Sequence, residues 1–153
     1  SSLGKSATFP RVSPNGRFLL FALGEYGCFH IWHKDADLYV YDLSNGKYWP
    51  LEKANSDYAE SYHSWSSDGK WILFASRRMD SNYSRLYIAK MNADGTSEKA
   101  FALPQKSADY YDFFDRSFNV PEFMVEPVNI SPQEFAEIIK GDSVKVKYDP
   151  SVK

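Results

Sequence analysis

Residues 63–76, His-Ser-Trp-Ser-Ser-Asp-Gly-Lys-Trp-Ile-Leu-Phe-Ala-Ser, have a near copy upstream at residues 10–22, Pro-Arg-Val-Ser-Pro-Asn-Gly-Arg-Phe-Leu-Leu-Phe-Ala. Each copy has a short segment that ends in Ser, a polar turn closed by Gly, a basic residue and an apolar run that ends Leu-Phe-Ala. Because Gly supplies the positive φ that such turns need, the pattern predicts a strand, a tight turn and a second strand. The chain therefore repeats itself, which identifies an architecture better than it identifies a chemistry.

Each repeat contains four predicted strands. In the first repeat they cover residues 10–13, 17–23, 37–43 and 47–51, and in the second they cover residues 62–66, 70–76, 85–91 and 98–103. The second strand is apolar on both of its alternating faces, so we expect it to be covered on two sides. Four antiparallel strands in a repeat of about fifty residues predict an all-β fold with two β-propeller-type blades. The blades occupy about residues 9–52 and 61–103 within a region 1–103.

The composition favours a folded, strand-rich domain. The 153 residues are 43% hydrophobic and 17% aromatic, which argues against disorder and suits the half-buried surfaces of strands. The formal net charge is −2 and the basic residues are scattered, so we expect no nucleic-acid partner. The sequence contains no apolar run of about twenty residues and no secretory signal region, so we expect no transmembrane segment.

The single cysteine and the first residues of the chain give two further expectations. Cys28 is the one cysteine, which excludes an internal disulfide and fits either the cytoplasm or the periplasm. The chain starts with Ser1-Ser2 and no Met, so we expect that it was cut from a longer protein or matured by processing.

Residues 104–153 form a C-terminal extension in which the repeat stops. The ring-rich segment 104–123 is expected to pack as a short helix and loop across the last blade. Ser131-Pro132-Gln133-Glu134 is a capping box with Pro at the first helical position, so a short helix should begin there and end at Gly141. Residues 143–148 alternate as in an edge strand protected by lysines. We expect the extension to pack on the blades.

The turn motif also resembles a known family. Ser-Pro-Asn-Gly-Arg-Phe-Leu-Leu-Phe at residues 13–21 and Ser-Ser-Asp-Gly-Lys-Trp-Ile-Leu-Phe at residues 66–74 are similar to the signature of the TolB-type, WD40-like propeller repeat. The similarity covers roughly residues 9–103. Longer stretches resemble the C-terminal part of TolB-like envelope proteins of Bacteroides-type bacteria, at residues 27–34, 55–66, 76–78, 103–105 and 118–123. The resemblance implies a non-enzymatic interaction module in the periplasm or cell envelope.

The number of blades departs from the family pattern. A closed propeller usually has about four to eight blades, and two blades cannot close a ring. An apolar sheet face should therefore be left without a neighbouring blade. We expect such a fragment either to self-associate through its exposed blade faces or to be covered by its own C-terminal segment.

Propeller geometry brings three long connections to one end of the blades. We define the loop rim as residues 24–36, 52–63 and 77–84, because the connections between strands two and three and between blades lie on the same side. Aromatic and Arg side chains on such a rim are typical anchors for a protein or glycan partner. The candidate binding residues are Tyr26, His30, Trp32, His33, Asp57, Tyr58, Tyr62, His63, Arg77 and Arg78. In an alternative interpretation, the long first connection simply folds back and packs its rings over the adjacent blade.

The rim also contains groups that an enzyme would use. Cys28, His30 and His33, with His63 nearby, are possible zinc ligands, although their spacing fits no established zinc motif, so we expect no metal and no cofactor. Asp57 and Glu60 are a possible carboxylate pair for glycosidase chemistry. No Gly-x-Ser-x-Gly elbow is present, and we assign no catalytic residue. A fragment of a hydrolase or a metal-dependent enzyme remains the alternative to a binding module.

The arginines at positions 77, 78 and 85 admit two interpretations. Arg77 and Arg78, followed by Arg85, are suited to grip a carboxylate, sulfated or phosphorylated ligand through their planar guanidinium groups. The competing interpretation is a structural salt bridge between the blades.

Overall fold

The computed structural model describes residues 4–145 and 147, and its strands form two four-stranded antiparallel sheets. Blade 1 contains β1 Ser6–Val12, β2 Phe18–Gly24, β3 Asp37–Asp42 and β4 Tyr48–Pro50. Blade 2 contains β5 Glu60–Trp65, β6 Trp71–Ser76, β7 Arg85–Lys90 and β8 Phe101–Ala102. In each blade the strands lie side by side in chain order. The predicted all-β fold with two blades is confirmed, and the two sheets do not close into a ring.

The repeated turn motif forms the same hydrogen-bond network in both blades. The Ser13 hydroxyl donates to Asn15 Oδ1 at 2.7 Å, and the equivalent Ser66 hydroxyl donates to Asp68 Oδ1 at 2.6 Å. The first backbone N–H of the following strand donates back to each serine hydroxyl. Side chains that bond their own turn in this way fix where one strand ends and the next begins.

The first strand of each blade contains a bulge that the sequence pattern does not reveal. The pairing register shifts between Thr8 and Arg11 in blade 1 and between Ser61 and Ser64 in blade 2. Phe9 and Tyr62 occupy the bulges, and each has a φ of 53°. A bulge adds a residue to one strand and re-aims its side chains. The two rings pack edge to face with centroids 5.0 Å apart, so the bulges join the inner strands of the two blades.

The hydrophobic core lies between the two sheets. Leu20 and Val40 of blade 1 belong to one buried cluster with Ile72 and Phe74 of blade 2. Burial of several large apolar side chains stabilises the stack by about 2 kcal/mol for each. The blades thus pack face to face, which explains why β2 is apolar on the side that faces β6.

Residues 104–123 follow blade 2, and a short 3₁₀ helix spans Tyr110–Asp112. A cluster of rings begins there. The ring centroid of Phe114 lies 5.2 Å from that of Tyr110 and 4.9 Å from that of Phe118. The buried Arg85 side chain of β7 lies against this cluster and donates to the Arg116 carbonyl oxygen at 2.8 Å. This segment is therefore held against the start of β7.

The remaining part of the chain, residues 124–153, is a separate unit. It contains helix α1, Pro132–Lys140, which the predicted capping box of Ser131 and Glu134 begins. Residues 143–145 are not in a strand, and most of the rest of the predicted edge strand lies outside the described residues. No helix in the described part of the chain has the length and apolar character needed to cross a membrane.

Candidate functional site

The three connections of the loop rim lie against one another. The Glu60 N–H donates to the Ala36 carbonyl oxygen at 2.8 Å, which ties the first connection to the second. The Arg77 N–H donates to the Ala59 carbonyl oxygen at 3.1 Å, which ties the second to the third. The rim is thus a hydrogen-bonded platform and not a set of independent loops.

Trp32 and Arg77 form the most prominent feature of this platform. Trp32 is 62% exposed, and the Arg77 guanidinium lies over its ring with the Cζ atom 4.7 Å from the ring centroid. Arg77 also donates to the Asn82 carbonyl oxygen at 3.1 Å, while its Nε has no hydrogen-bond partner among the described residues. A stacked cation and ring of this kind present a large flat surface, while the unpaired Arg77 Nε is buried.

A cleft of about 290 Å³ opens beside this pair. Ile31 and Tyr62 line it from the rim and from the bulge of β5. Its other side is formed by Ser84 and by the segment that follows blade 2, at Ser117, Phe118 and Asn119. Trp32 and Arg77 also line a second, smaller cleft of about 130 Å³ that contains Lys34, Tyr58, Ala59 and Ser81. The pair therefore separates two adjoining depressions on the rim.

The wall formed by residues 117–119 is fixed to the rim by hydrogen bonds. The Ser84 N–H donates to Ser117 Oγ at 3.1 Å, and the Phe118 N–H donates to the Ser84 carbonyl oxygen at 3.0 Å. The Ser84 hydroxyl donates to the Phe118 carbonyl oxygen. Further along, Glu122 forms a salt bridge of 2.8 Å with Arg11 of β1. The segment thus crosses from β7 to the first strand of blade 1, and both ends of the wall are anchored.

Two histidines among the predicted rim residues lie in the interior. His30 is fully buried and its Nδ1 is 2.7 Å from Thr8 Oγ1. His63 is also fully buried, and its Nε2 lies 2.7 Å from the Phe9 carbonyl oxygen and 3.2 Å from the Leu20 carbonyl oxygen. Since carbonyls only accept, His63 Nε2 carries the proton. Burial lowers the pKa of both rings, that of His63 to about 4. His63 joins β5 to β1 and β2, and His30, in a 3₁₀ helix at His30–Trp32, joins the first connection to β1. Neither side chain reaches the rim surface.

Arg78 and Glu60 also have structural partners. Their salt bridge is 3.0 Å long, Glu60 is fully buried, and Arg78 donates further to the Ala54 carbonyl oxygen. The Ser56 and Ser76 hydroxyls donate to Glu60 Oε1 at 2.7 and 2.6 Å. The salt bridge expected between the blades is therefore formed within blade 2, because the end of β6 lies beside the start of β5. Glu60 is not paired with an exposed Asp57 as a catalytic dyad would require.

The remaining predicted residues lie at or near the rim surface. Tyr26 is 81% exposed, Asp57 is exposed, and His33 is half-buried. Lys34 lies over the half-buried Tyr58 ring at 5.0 Å. Cys28 is an exposed free thiol. Within the described ranges, no three His, Cys, Asp or Glu side chains lie close enough together to hold a metal ion.

Sequence reasoning missed one wall of the site and one perturbed carboxyl group in β3. Phe118 and Asn119 line the cleft although they lie outside the repeat, and their signals in the sequence are the aromatic run that precedes them and the resemblance of residues 118–123 to TolB-like envelope proteins. Asp37 at the start of β3 was also missed. Burial, followed by the charge of Glu60, raises the pKa of Asp37 to about 6.

The sequence matches no protein-family model and no curated protein. Among solved structures, the chain is similar to the β-propeller domain of the Trilobed protease from Pyrococcus furiosus, which is described as having an open velcro topology. The identity is 18% and the TM-score is 0.42, and the match covers 65% of this chain and 30% of that chain. This chain thus spans about 30% of the length of that propeller chain.

Proposed function

We propose that the loop rim binds a protein or glycan partner without catalysis, and that Trp32 and Arg77 are its central anchors. The cleft of about 290 Å³ beside them carries this proposal. Trp and Arg are the side chains that most often dominate binding energy, and a rigid platform loses little conformational entropy on binding. Here both residues are held on hydrogen-bonded connections and both border two depressions.

The competing proposal of a hydrolase or metal-dependent enzyme has weaker support. Of the groups it would use, His30, His63 and Glu60 are buried and bonded to neighbouring groups of the fold, while His33 and Asp57 are accessible. A general acid or base must come within hydrogen-bond reach of the reacting group. A binding function requires only exposed side chains, and the rim presents several of them.

We further propose that the chain is a TolB-like module of a Bacteroides-type bacterium and acts in its periplasm or cell envelope. This step rests on the resemblance of residues 13–21 and 66–74 to the TolB-type repeat and of the rim stretches to TolB-like envelope proteins. Fractionation of such cells, followed with an antibody against this chain, tests it. Recovery of the chain in the cytoplasmic fraction would refute the proposed location.

The binding proposal is tested with one variant and two kinds of probe. A glycan array detects a glycan partner, and a photo-crosslinker introduced into the cleft of about 290 Å³ captures a protein partner. For whichever partner is found, Trp32→Ala should weaken binding by about 2 kcal/mol, or about thirtyfold in Kd, as for a central aromatic anchor.

A matched control makes this test specific to the rim. Phe113 is also a large, exposed ring, at 82%, and it lines neither cleft. Phe113→Ala should therefore bind as the parent chain does. Equal affinities of the Trp32→Ala and Phe113→Ala variants would refute the role of Trp32, and absence of both glycan binding and a crosslinked partner would refute the function.

A further inference from the structure

The two clefts of the loop rim are lined by positively charged side chains. Arg77 lines both clefts and Lys34 lines the smaller one, while the acidic residues of the rim lie outside the lining of either cleft. Lys34 is exposed and Arg77 is half-buried. Because water and salt screen charges more than about 8 Å away, the charges that line a cleft decide which ligand it favours. The clefts therefore favour a negatively charged group.

The other cations of the rim are neutralised within the protein. Of its four lysines and arginines, Lys53 forms a salt bridge of 3.3 Å with Glu98, and Arg78 forms one of 3.0 Å with Glu60. Neither of the two cleft cations has a salt-bridge partner in the part of the chain that the structure describes. The unpaired cations of the rim are thus the two that line the clefts.

The third connection holds the Arg77 side chain in place. The Ser81 N–H donates to the Arg77 carbonyl oxygen at 2.9 Å, and Arg77 Nη2 donates to the Asn82 carbonyl oxygen at 3.1 Å. Ser81 has a φ of 60°, in the left-handed region that a residue with a side chain seldom adopts. Among the described residues, Arg77 Nη1 has no hydrogen-bond partner. A fixed guanidinium group with an unused donor is suited to bind an oxyanion.

The smaller cleft has the size and the donors for one anionic group. Its volume is about 130 Å³, and its polar side chains are those of Lys34, Tyr58, Arg77 and Ser81. An ammonium, a phenol, a guanidinium and a hydroxyl group can all donate hydrogen bonds. A carboxylate or sulfate group accepts such bonds at each of its oxygen atoms.

The larger cleft has the features of a site for a sugar ring. Its volume of about 290 Å³ lies at the small end of ligand sites, which begin at about 300 Å³. Trp32 offers an exposed ring whose negative face attracts the C–H groups of a sugar. Ser117 Oγ accepts from Ser84 N–H and retains its own hydrogen to donate, and the Asn119 side chain is exposed. These groups can pair with sugar hydroxyls.

We propose that the partner of the loop rim is an acidic glycan. A sugar ring packs on Trp32 in the larger cleft, and a carboxylate or sulfate group of the same glycan lies in the smaller cleft with Arg77 and Lys34. This inference rests on the proposed binding function and names the class of its ligand. An acidic peptide fits less well, because a peptide that extends a sheet needs a free strand edge, whereas the clefts are lined mainly by residues of connections.

The experiment probes the full chain with an array of uronic-acid, sulfated and neutral oligosaccharides. Binding should be confined to acidic members and should weaken as salt is added, because salt screens the attraction. The strongest uronic-acid ligand is then titrated beside its methyl ester, and the strongest sulfated ligand beside its desulfated form. Each neutral form should bind about tenfold more weakly or worse. The two comparisons distinguish a carboxylate ligand from a sulfate ligand.

Two charge variants and a matched control locate the anionic group. Lys34→Gln should weaken binding of the acidic glycan about fivefold, and Arg77→Gln should weaken it about tenfold or more, because charged hydrogen bonds are lost. Lys34→Gln should leave the affinity for the neutral form unchanged. Lys47→Gln alters an exposed lysine between β3 and β4 that lines neither cleft and should bind as the parent chain does. Circular dichroism verifies folding, and the exposed Lys34 decides the test if Arg77→Gln does not fold.

Equal binding of acidic and neutral forms would overturn the proposal. So would equal affinities of the Lys34→Gln and Lys47→Gln variants for the acidic glycan, or binding of polyglutamate in the absence of any acidic glycan ligand. A neutral glycan or a protein that binds through Trp32 would contradict the acidic class while the binding function stands. If the array and the crosslinking experiment both find no ligand, the binding function fails as well.

Discussion

The buried His63 should make the stability of this protein fall in mild acid. Burial lowers the pKa of its imidazole from 6.5 to about 4 in the folded chain. The unfolded chain therefore binds the proton more tightly, so the contribution of His63 is fully present above pH 6.5 and is lost as the pH falls towards 4. A pKa difference of one corresponds to about 1.4 kcal/mol, so the contribution of His63 to the free energy of unfolding should fall by roughly 2.5 kcal/mol between about pH 7.5 and about pH 4.5.

The assay is urea unfolding of the parent chain and of the His63→Gln variant at both pH values. Gln retains a side-chain N–H for the Phe9 carbonyl oxygen, and the variant should be about 1–2 kcal/mol less stable than the parent at about pH 7.5. Because Gln does not titrate, this difference should vanish or reverse at about pH 4.5.

Another titrating group acts in the opposite direction and shows why the comparison is needed. The raised pKa of Asp37, about 6, means that its protonation favours the folded chain as the pH falls from 6 towards 3.8. This contribution partly masks that of His63 in the parent chain but cancels between the parent and the variant. If the parent and His63→Gln differ by the same amount at both pH values, the reasoning about His63 is refuted.

Two further predictions concern the free energy of unfolding measured by urea at neutral pH. Gly95→Ala should cost about 2–4 kcal/mol, because its Cβ would strike the Phe18 ring at a positive φ, whereas Gly16→Ala, with φ +71° and open space, should cost only about 1 kcal/mol. Equal costs would contradict the close packing of the blades at Gly95. Glu60→Ala should cost about 3–5 kcal/mol because it leaves the Arg78 guanidinium without its carboxylate partner. A cost below about 1 kcal/mol would show that this salt bridge does not hold the rim.

The fold could be predicted from sequence because its signals are local. A serine that bonds its own turn, a glycine with positive φ and an alternating apolar run each act within about ten residues, so the strands and turns of both blades follow from the repeat. The beginning of β1 at Ser6 was missed, because the bulge at Phe9 interrupts the alternation on which strand prediction depends.

The candidate site could be predicted only in part. Propeller topology places the three connections on one rim, and Trp32 and Arg77 follow from that placement together with their chemistry. Sequence alone did not distinguish Trp32 and Arg77 from His30 and His63 as surface residues, because the burial of a side chain depends on its neighbours in the folded chain. It also gave no reason to place Phe118 in the cleft wall, because that contact joins residues 34 positions apart through Ser84.

The sequence by itself thus determined the repeat, the turns, the strand order and the apolar character of both sheet faces, all of which depend on near neighbours in the chain. Only the tertiary structure decided which polar groups reach the surface. The partners of His63 lie 54 and 43 positions away, and the anchor of Glu122 at Arg11 lies 111 positions away. Contacts over such separations depend on how the blades stack, and no local pattern encodes them.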